Sequence, residues 1–264
     1  MKNKSNIRIL IACEYSGVVR DAFRSQGFKN VWSCDLLPTK KAGLHYQNDV
    51  LNLLNGWVPV RHQCECDPDG EGICKLSQID TGECPCYGPN QEDELEYLEY
   101  NKELFARPKD NPNWDLIIAH PPCQHLATSG AKHFAQKIAD GRQQKAIDFF
   151  MHFVNAPAKY IAIENPIGIM STKYRKPNCI IQPYQHGHEA TKSTCLWLKN
   201  LPNLIPSNIV DKGKRHITKS GKSLPDWYNL PPSADRWEIR STTFQGIGDA
   251  IAKQWGDYIL KNEK

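Results

Sequence analysis

The sequence predicts an α/β fold, a mostly parallel sheet with helices on both faces. Short apolar runs at 8–13, 31–34, 114–119 and 160–163 alternate with stretches of helical spacing, the pattern of a sheet covered by its own crossover helices. Most of these runs are nearly continuous in apolar residues, as strands buried on both faces require. The first run passes through a tight turn into a helix, an opening that suggests a nucleotide-cofactor site.

The elements follow in order. Residues 8–13 form the first buried strand, and Glu14, Tyr15, Ser16 and Gly17 form its turn. Residues 18–26 place Val18, Val19, Ala22 and Phe23 on one helical face, and Gly27 stops the helix. Residues 31–34 form a second strand ending at Asp35, and Asn48-Asp49-Val50 leads into a short helix near 51–54. From 57 to 113 the chain turns rich in Cys, Asp, Glu, Gly and Pro and reads as an insertion, with a helix expected over 92–105. The core resumes with the strand at 114–119 and the turn His120-Pro121-Pro122-Cys123-Gln124. A helix over 142–155 presents Ala146, Ile147, Phe149, Phe150 and Phe153, and the strand at 160–163 runs into Glu164-Asn165-Pro166. Trp114 and the aromatics of that helix read as core. A further strand is expected at 195–198, mostly irregular chain over 202–237, and a closing helix over 244–260. The expected organisation is a core of 1–56 and 114–198, an insertion at 57–113, a short recognition-like region at 199–236, and a helix in 237–264 that returns to the core.

Composition narrows the function. The chain has 264 residues, 40% of them hydrophobic, enough for one α/β domain with an additional piece. Mean hydropathy is −0.58 and no stretch approaches a membrane span, so no membrane partner is expected. The basic N-terminal residues run straight into a strand without a cleavage site of small residues, so no secretory signal and a cytoplasmic location are expected. The net charge of +4, from 33 basic and 29 acidic residues, permits a polyanionic partner without demanding one. Basic residues cluster at Lys173, Arg175 and Lys176, and again at Lys212, Lys214, Arg215, Lys219 and Lys222. Five of the ten cysteines, Cys64, Cys66, Cys74, Cys84 and Cys86, lie in a Gly- and Pro-rich stretch. Disulfides are not expected in a reducing compartment, and such a stretch buries too little apolar surface to fold alone. A structural zinc held by thiolates would stabilise it, with His62 as a spare ligand.

The chemistry centres on Cys123. A nucleophile placed directly after a buried strand sits at the mouth of the sheet, where α/β proteins bind ligands, and two prolines fix where its thiol points. Glu164, at the end of another strand, can face the same substrate. The first turn contains Gly17 alone rather than G-x-G-x-x-G, which argues against a dinucleotide pyrophosphate and admits S-adenosylmethionine. Asp35, about 20 residues beyond the turn, stands where ribose hydroxyls are held.

These residues together resemble the DNA cytosine-5 methyltransferases, most closely their short phage and prophage members. Tyr15-Ser16-Gly17 is similar to the family's Phe-x-Gly turn, Pro121-Pro122-Cys123-Gln124 to its Pro-Cys-Gln nucleophile segment, and Glu164-Asn165-Pro166 to its Glu-Asn-Val segment. Residues 244–251 resemble the C-terminal segments that return to the cofactor. The resemblance implies a Rossmann-like S-adenosylmethionine-dependent methyltransferase fold, with Cys123 and Glu164 catalytic. It implies substrate contacts from Pro122, Gln124, Asn165 and Lys192. It implies cofactor contacts from Glu14, Tyr15, Ser16, Gly17, Asp35, Asp49, His120, Pro121, Asp249 and Ala250. The partner implied is DNA, with no obligate protein partner, and the role implied is masking a phage genome from host nucleases. Three departures stand out: the first turn lacks its usual glycines, Pro166 replaces Val, and the family's arginine segment is echoed only by Thr191-Lys192-Ser193-Thr194.

The implied chemistry suits these residue types. Carbon 5 of cytosine is a poor nucleophile until a thiolate adds at carbon 6, and cysteine supplies an intrinsically strong one. A carboxyl group at N3 and the exocyclic amine stabilises the electron-rich ring. In a duplex the base must first leave the stack. The alternatives are the same thiolate chemistry on RNA, on a free pyrimidine nucleotide or with a modified cofactor, and a catalytically silent, zinc-containing DNA-binding protein.

Overall fold

The computed structural model describes residues 2–59, 95–100, 103–233 and 236–263. Its centre is a seven-stranded sheet of β1 (Ile9–Ala12), β2 (Val31–Asp35), β3 (His45–Gln47), β7 (Leu116–Ala119), β8 (Tyr160–Pro166), β9 (Cys179–Ile181) and β10 (Thr194–Lys199). The spatial order is β3-β2-β1-β7-β8-β10-β9. The first five run parallel, and β10 is antiparallel to both β8 and β9. This is a Rossmann-like α/β sheet with one reversed strand. Chain order switches direction between β1 and β7, and the crevice beyond the carboxyl ends of two such strands is where open α/β sheets bind ligands.

Period-two alternation sends the strand residues into two cores. Ile9, Ile11, Leu116, Ile118, Tyr160, Ala162, Leu196 and Leu198 face one side, against Val19 and Phe23 of α1 (Val18–Ser25) and Ile251, Trp255 and Ile259 of α6 (Gln245–Asn262). Leu10, Ala12, Ile117, Ala119, Ile161, Ile163, Cys195 and Trp197 face the other side, against Phe150 and Phe153 of α3 (Arg142–Val154). Phe150 meets Trp197 edge to face at 5.3 Å. Trp114 is 1% exposed, and its indole N–H donates to Leu53 O over 2.6 Å. Burying each large apolar side chain here contributes about 1.5–3 kcal/mol.

The described ends of the expected insertion form a second, antiparallel sheet of β4 (Val58–Pro59), β6 (Glu103–Pro108) and β5 (Leu95–Tyr100), in that order. The helix expected over 92–105 is therefore corrected to a hairpin, registered from Leu95↔Pro108 to Tyr100↔Glu103. Tertiary partners override the helical spacing of Leu95, Leu98 and Leu104: β6 pairs with β4, and Phe105 is buried with its ring 5.8 Å from that of Tyr46. Arg8 closes the base of the insertion. Its guanidinium lies over the Trp114 ring and donates to Gly56 O, Asn111 O and Pro112 O. Gly56, at φ 85°, lies so close that a Cβ would stand 1.7 Å from Pro112 O.

Short elements complete the chain: α2 (Phe134–Ala139), α4 (Met170–Lys173), α5 (Arg236–Ser241), and a hairpin of β11 (Arg215–Ile217) and β12 (Ser223–Pro225) within the region expected to be irregular. Among the described residues no helix is long and apolar enough to cross a membrane.

Candidate active site

The candidate site lies beyond the carboxyl ends of β1, β7 and β8, at the switch point. Strand parity assembles it. In the parallel register of β7 and β8, Ala119 pairs with Ile163, so the next residues, His120 and Glu164, emerge side by side. Both share the parity of Ile118 and Ala162 and face the α1/α6 side. His120 Nδ1 lies 3.3 Å from Glu164 Oε2. On β10, Leu196 pairs with Glu164, and Thr194 and Lys192 follow at the same parity.

Cys123 stands exposed in the proline turn, where its carbonyl accepts from Leu126 N and Ala127 N at 3.0 and 2.9 Å. Partial desolvation and then the charge of Glu164 push its thiol pKa up, while Lys192, the residue's own backbone N–H and Arg240 pull it down; the net shift is upward. For Glu164, burial pushes the carboxyl up, but the hydrogen bond and charge of His120, the charge of Lys192 and a hydrogen bond from Thr194 together outweigh it and hold the group below the usual carboxylate value. Thiol, carboxylate, imidazole and two cations thus share one electrostatic environment. Asn165, of opposite parity to Glu164, is buried, and its amide donates to Pro121 O over 2.8 Å. This bond ties the nucleophile turn to β8.

Lys192 is held in place. Its ammonium donates to Arg240 O over 2.9 Å and lies 5.5 and 6.0 Å from the ring centroids of Trp227 and Phe244. Pro122 and Gln124 are exposed beside Cys123, and Gln124 O accepts from Lys137. Arg240 and Trp227 join the site without having been singled out in the sequence, and Thr194 was named there only as part of the segment Thr191-Lys192-Ser193-Thr194. A signal for Arg240 was present, since it lies just upstream of the segment beginning at Phe244.

The turn after β1 forms the adjoining wall. Gly17 takes φ 74° to begin α1. Glu14, 4% exposed, accepts from Val19 N at 2.7 Å and from Arg20 N at 3.3 Å. Burial raises the Glu14 carboxyl, against the opposing charge of nearby His120. A carboxylate already satisfies the amides of this helix N-terminus, where a dinucleotide would place its pyrophosphate. The turn therefore disfavours a phosphate and fits a cofactor without one. Tyr15 and Ser16 are buried in the turn, and Tyr15 Oη lies 3.3 Å from Ser241 Oγ. Lys40 pairs with Glu238, so α5 is tied to the walls of both the first turn and the nucleophile. Asp35 and Asp49 lie at the carboxyl ends of β2 and β3, where they accept from Leu37 N and Leu51 N and act on the thiols of Cys13 and Cys34. Asp249 is exposed and accepts from Gln245, whereas Ala250 is buried in the α1/α6 core, away from any open surface.

Cys64, Cys66, Cys74, Cys84, Cys86 and His62 lie outside the described residues. Among the described residues no group of three or more His, Cys, Asp or Glu could hold a metal ion.

No family model matches the chain, and no curated protein matches it. Among the solved structures that match is one named provisionally as a DNA modification methyltransferase encoded within a prophage of E. coli. It is 15% identical, with a TM-score of 0.39 over 78% of this chain and 53% of that one, so the chain spans about half the length of that structure. A likeness this distant carries neither activity nor substrate across; the fold rests on the sheet order itself.

Proposed function

We propose that the chain is an S-adenosylmethionine-dependent DNA methyltransferase that modifies carbon 5 of cytosine, probing the base from the carboxyl edge of its sheet. One observation carries the reading: an exposed thiol and a buried-edge carboxylate, Cys123 and Glu164, close adjacent parallel strands and act on each other electrostatically. Few reactions need a nucleophile and a proton-handling carboxyl on one face of a planar ring.

In this reading Cys123 adds as the thiolate to carbon 6, and Lys192 and Arg240 favour that ionised form. Glu164 binds N3 and the exocyclic amine of the flipped base. Asn165 keeps the nucleophile turn at a constant distance from Glu164 by gripping Pro121 O. Glu14, Tyr15, Ser16, Gly17, Asp35 and Asp49 line the cofactor side, and Pro122 and Gln124 the substrate side. The cofactor, when bound, supplies an electrophilic methyl group. Cations at the site and the basic residues around β11 suit a phosphate backbone. The role implied is protection of phage DNA.

The test is mass spectrometry of cytosine in DNA incubated with protein and S-adenosylmethionine, beside Cys123→Ala. A gain of 5-methylcytosine that vanishes in the variant supports the reading. Unmodified DNA from several sources, with methylated RNA or nucleotide instead, refutes it. The zinc of the cysteine-rich segment is a separate proposal; purified protein without stoichiometric zinc refutes that one.

A further inference from the structure

The geometry points to His120 as a positioning residue that donates through Nδ1 to Glu164 and supplies the proton Glu164 delivers to N3 of the cytosine. This rests on the function proposed above and deepens it.

The argument begins with a conflict. A carboxyl group that protonates N3 must carry a proton when the thiolate adds, yet Glu164 is surrounded by groups that favour its ionised form: His120, Lys192 and the hydroxyl of Thr194. Of these, only the imidazole can release a proton near neutral pH, because an ammonium holds its proton far more tightly and a hydroxyl does not yield one. His120 is also placed for the task. Its Nδ1 lies 3.3 Å from Glu164 Oε2, its backbone N–H donates to Ala12 O over 2.9 Å, and only 12% of its side chain is exposed. Its Nε2 is buried with no hydrogen-bond partner among the described residues. Among the described residues the ring is thus held by one side-chain bond, the one to Glu164, and it lies within electrostatic reach of Glu14.

The step balances. As the Sγ–C6 bond forms, the C5=C6 π pair shifts toward the N3 side of the ring. N3 takes a proton from Glu164, and Glu164 takes one from His120 Nδ1. C5 then takes the methyl group, water removes the C5 proton, and the C5–H pair re-forms C5=C6 as the Sγ–C6 bond breaks and the thiolate leaves; N3 returns its proton to Glu164 and Glu164 to His120, leaving the pair as it began. Among the described residues, the charged and titratable groups that act on this pair are Glu14 from the β1 turn and Lys192 from the approach to β10; Cys123 from the β7 turn feels Glu164, Lys192 and Arg240 of α5, and Cys195, on the opposite face of β10, feels Glu164.

The test is the pH profile of single-turnover methyl transfer to cytosine in DNA, for the wild type, His120→Asn and His120→Ala. Asparagine keeps a donor for Glu164 and cannot titrate. In the wild type the rate rises with pH as Cys123 ionises, and a relay through His120 adds a fall of the rate at alkaline pH. In His120→Asn the rate is expected to drop by roughly 100-fold and the alkaline fall to disappear, with folding kept as judged by circular dichroism. His120→Ala should show the same loss. A His120→Asn enzyme with the wild-type rate and the wild-type alkaline limb overturns the relay and leaves the methyltransferase reading standing. A wild type that forms no 5-methylcytosine at any pH overturns both.

Discussion

Asn165→Ala removes one buried hydrogen bond and should disturb both stability and turnover. The amide of Asn165 donates to Pro121 O over 2.8 Å, and Asn165 is 2% exposed. Alanine leaves that carbonyl without its donor in a place with little water. Leaving a buried acceptor unpaired costs about 1–3 kcal/mol. For a chain of this size each kcal/mol moves the midpoint by roughly 2–4 °C, so a fall of about 2–12 °C is expected in a thermal melt followed by circular dichroism. The bond also spans from β8 to the turn that carries Cys123. Slack of about 1 Å between nucleophile and carboxylate costs up to roughly 100-fold in rate, read as single-turnover methyl transfer at a temperature where the variant is fully folded. Asn165→Asp should be worse than alanine, because a carboxylate would face the carbonyl oxygen with no proton to give. An alanine variant with an unchanged midpoint and an unchanged rate refutes the anchoring role.

The thiol should report its surroundings directly. Because the Cys123 pKa is raised, its thiolate fraction at neutral pH lies below that of a free cysteine, and peptide-resolved alkylation should climb with pH through a range above the ordinary thiol value. Glu164→Gln removes a negative neighbour and should speed alkylation at neutral pH, while Lys192→Ala should slow it; the opposite order contradicts the electrostatics described. Gly246→Ala should destabilise by ~3 kcal/mol or lose folded yield, since a Cβ there would lie 1.8 Å from His186 O; a normal melt would show that α6 is docked less tightly than the structure has it. Lys40→Ala and Tyr15→Phe each cut one tie between α5 and the first turn, and cofactor affinity measured by calorimetry should weaken in both, with an unchanged value refuting the tie.

Much of the core was legible in the chain. Continuous apolar runs such as Ile9-Leu10-Ile11-Ala12 have few alternatives to a doubly covered strand, and the face of α3 announces itself through Phe150 and Phe153. Parity was also written there: His120 and Glu164 each follow a strand whose phase is set by its own residues. The hairpin of β5 and β6 was not legible, because a segment of mixed Leu, Tyr and Glu satisfies a helix or a strand equally until β4 and Tyr46 offer partners. Nor was the bond from Asn165 to Pro121 O, which joins residues 44 positions apart in the chain.

The sequence by itself determined the strand phases, the nucleophile turn and the one-glycine start of α1, since local sterics and hydrophobic period are properties of neighbours along the chain. Only the tertiary structure decided that β7 lies between β1 and β8. It alone brought Lys192 and Arg240 to Cys123 and set His120 against Glu164. Those contacts join residues far apart in the chain, and only the packing of both cores against one sheet settles which of them meet.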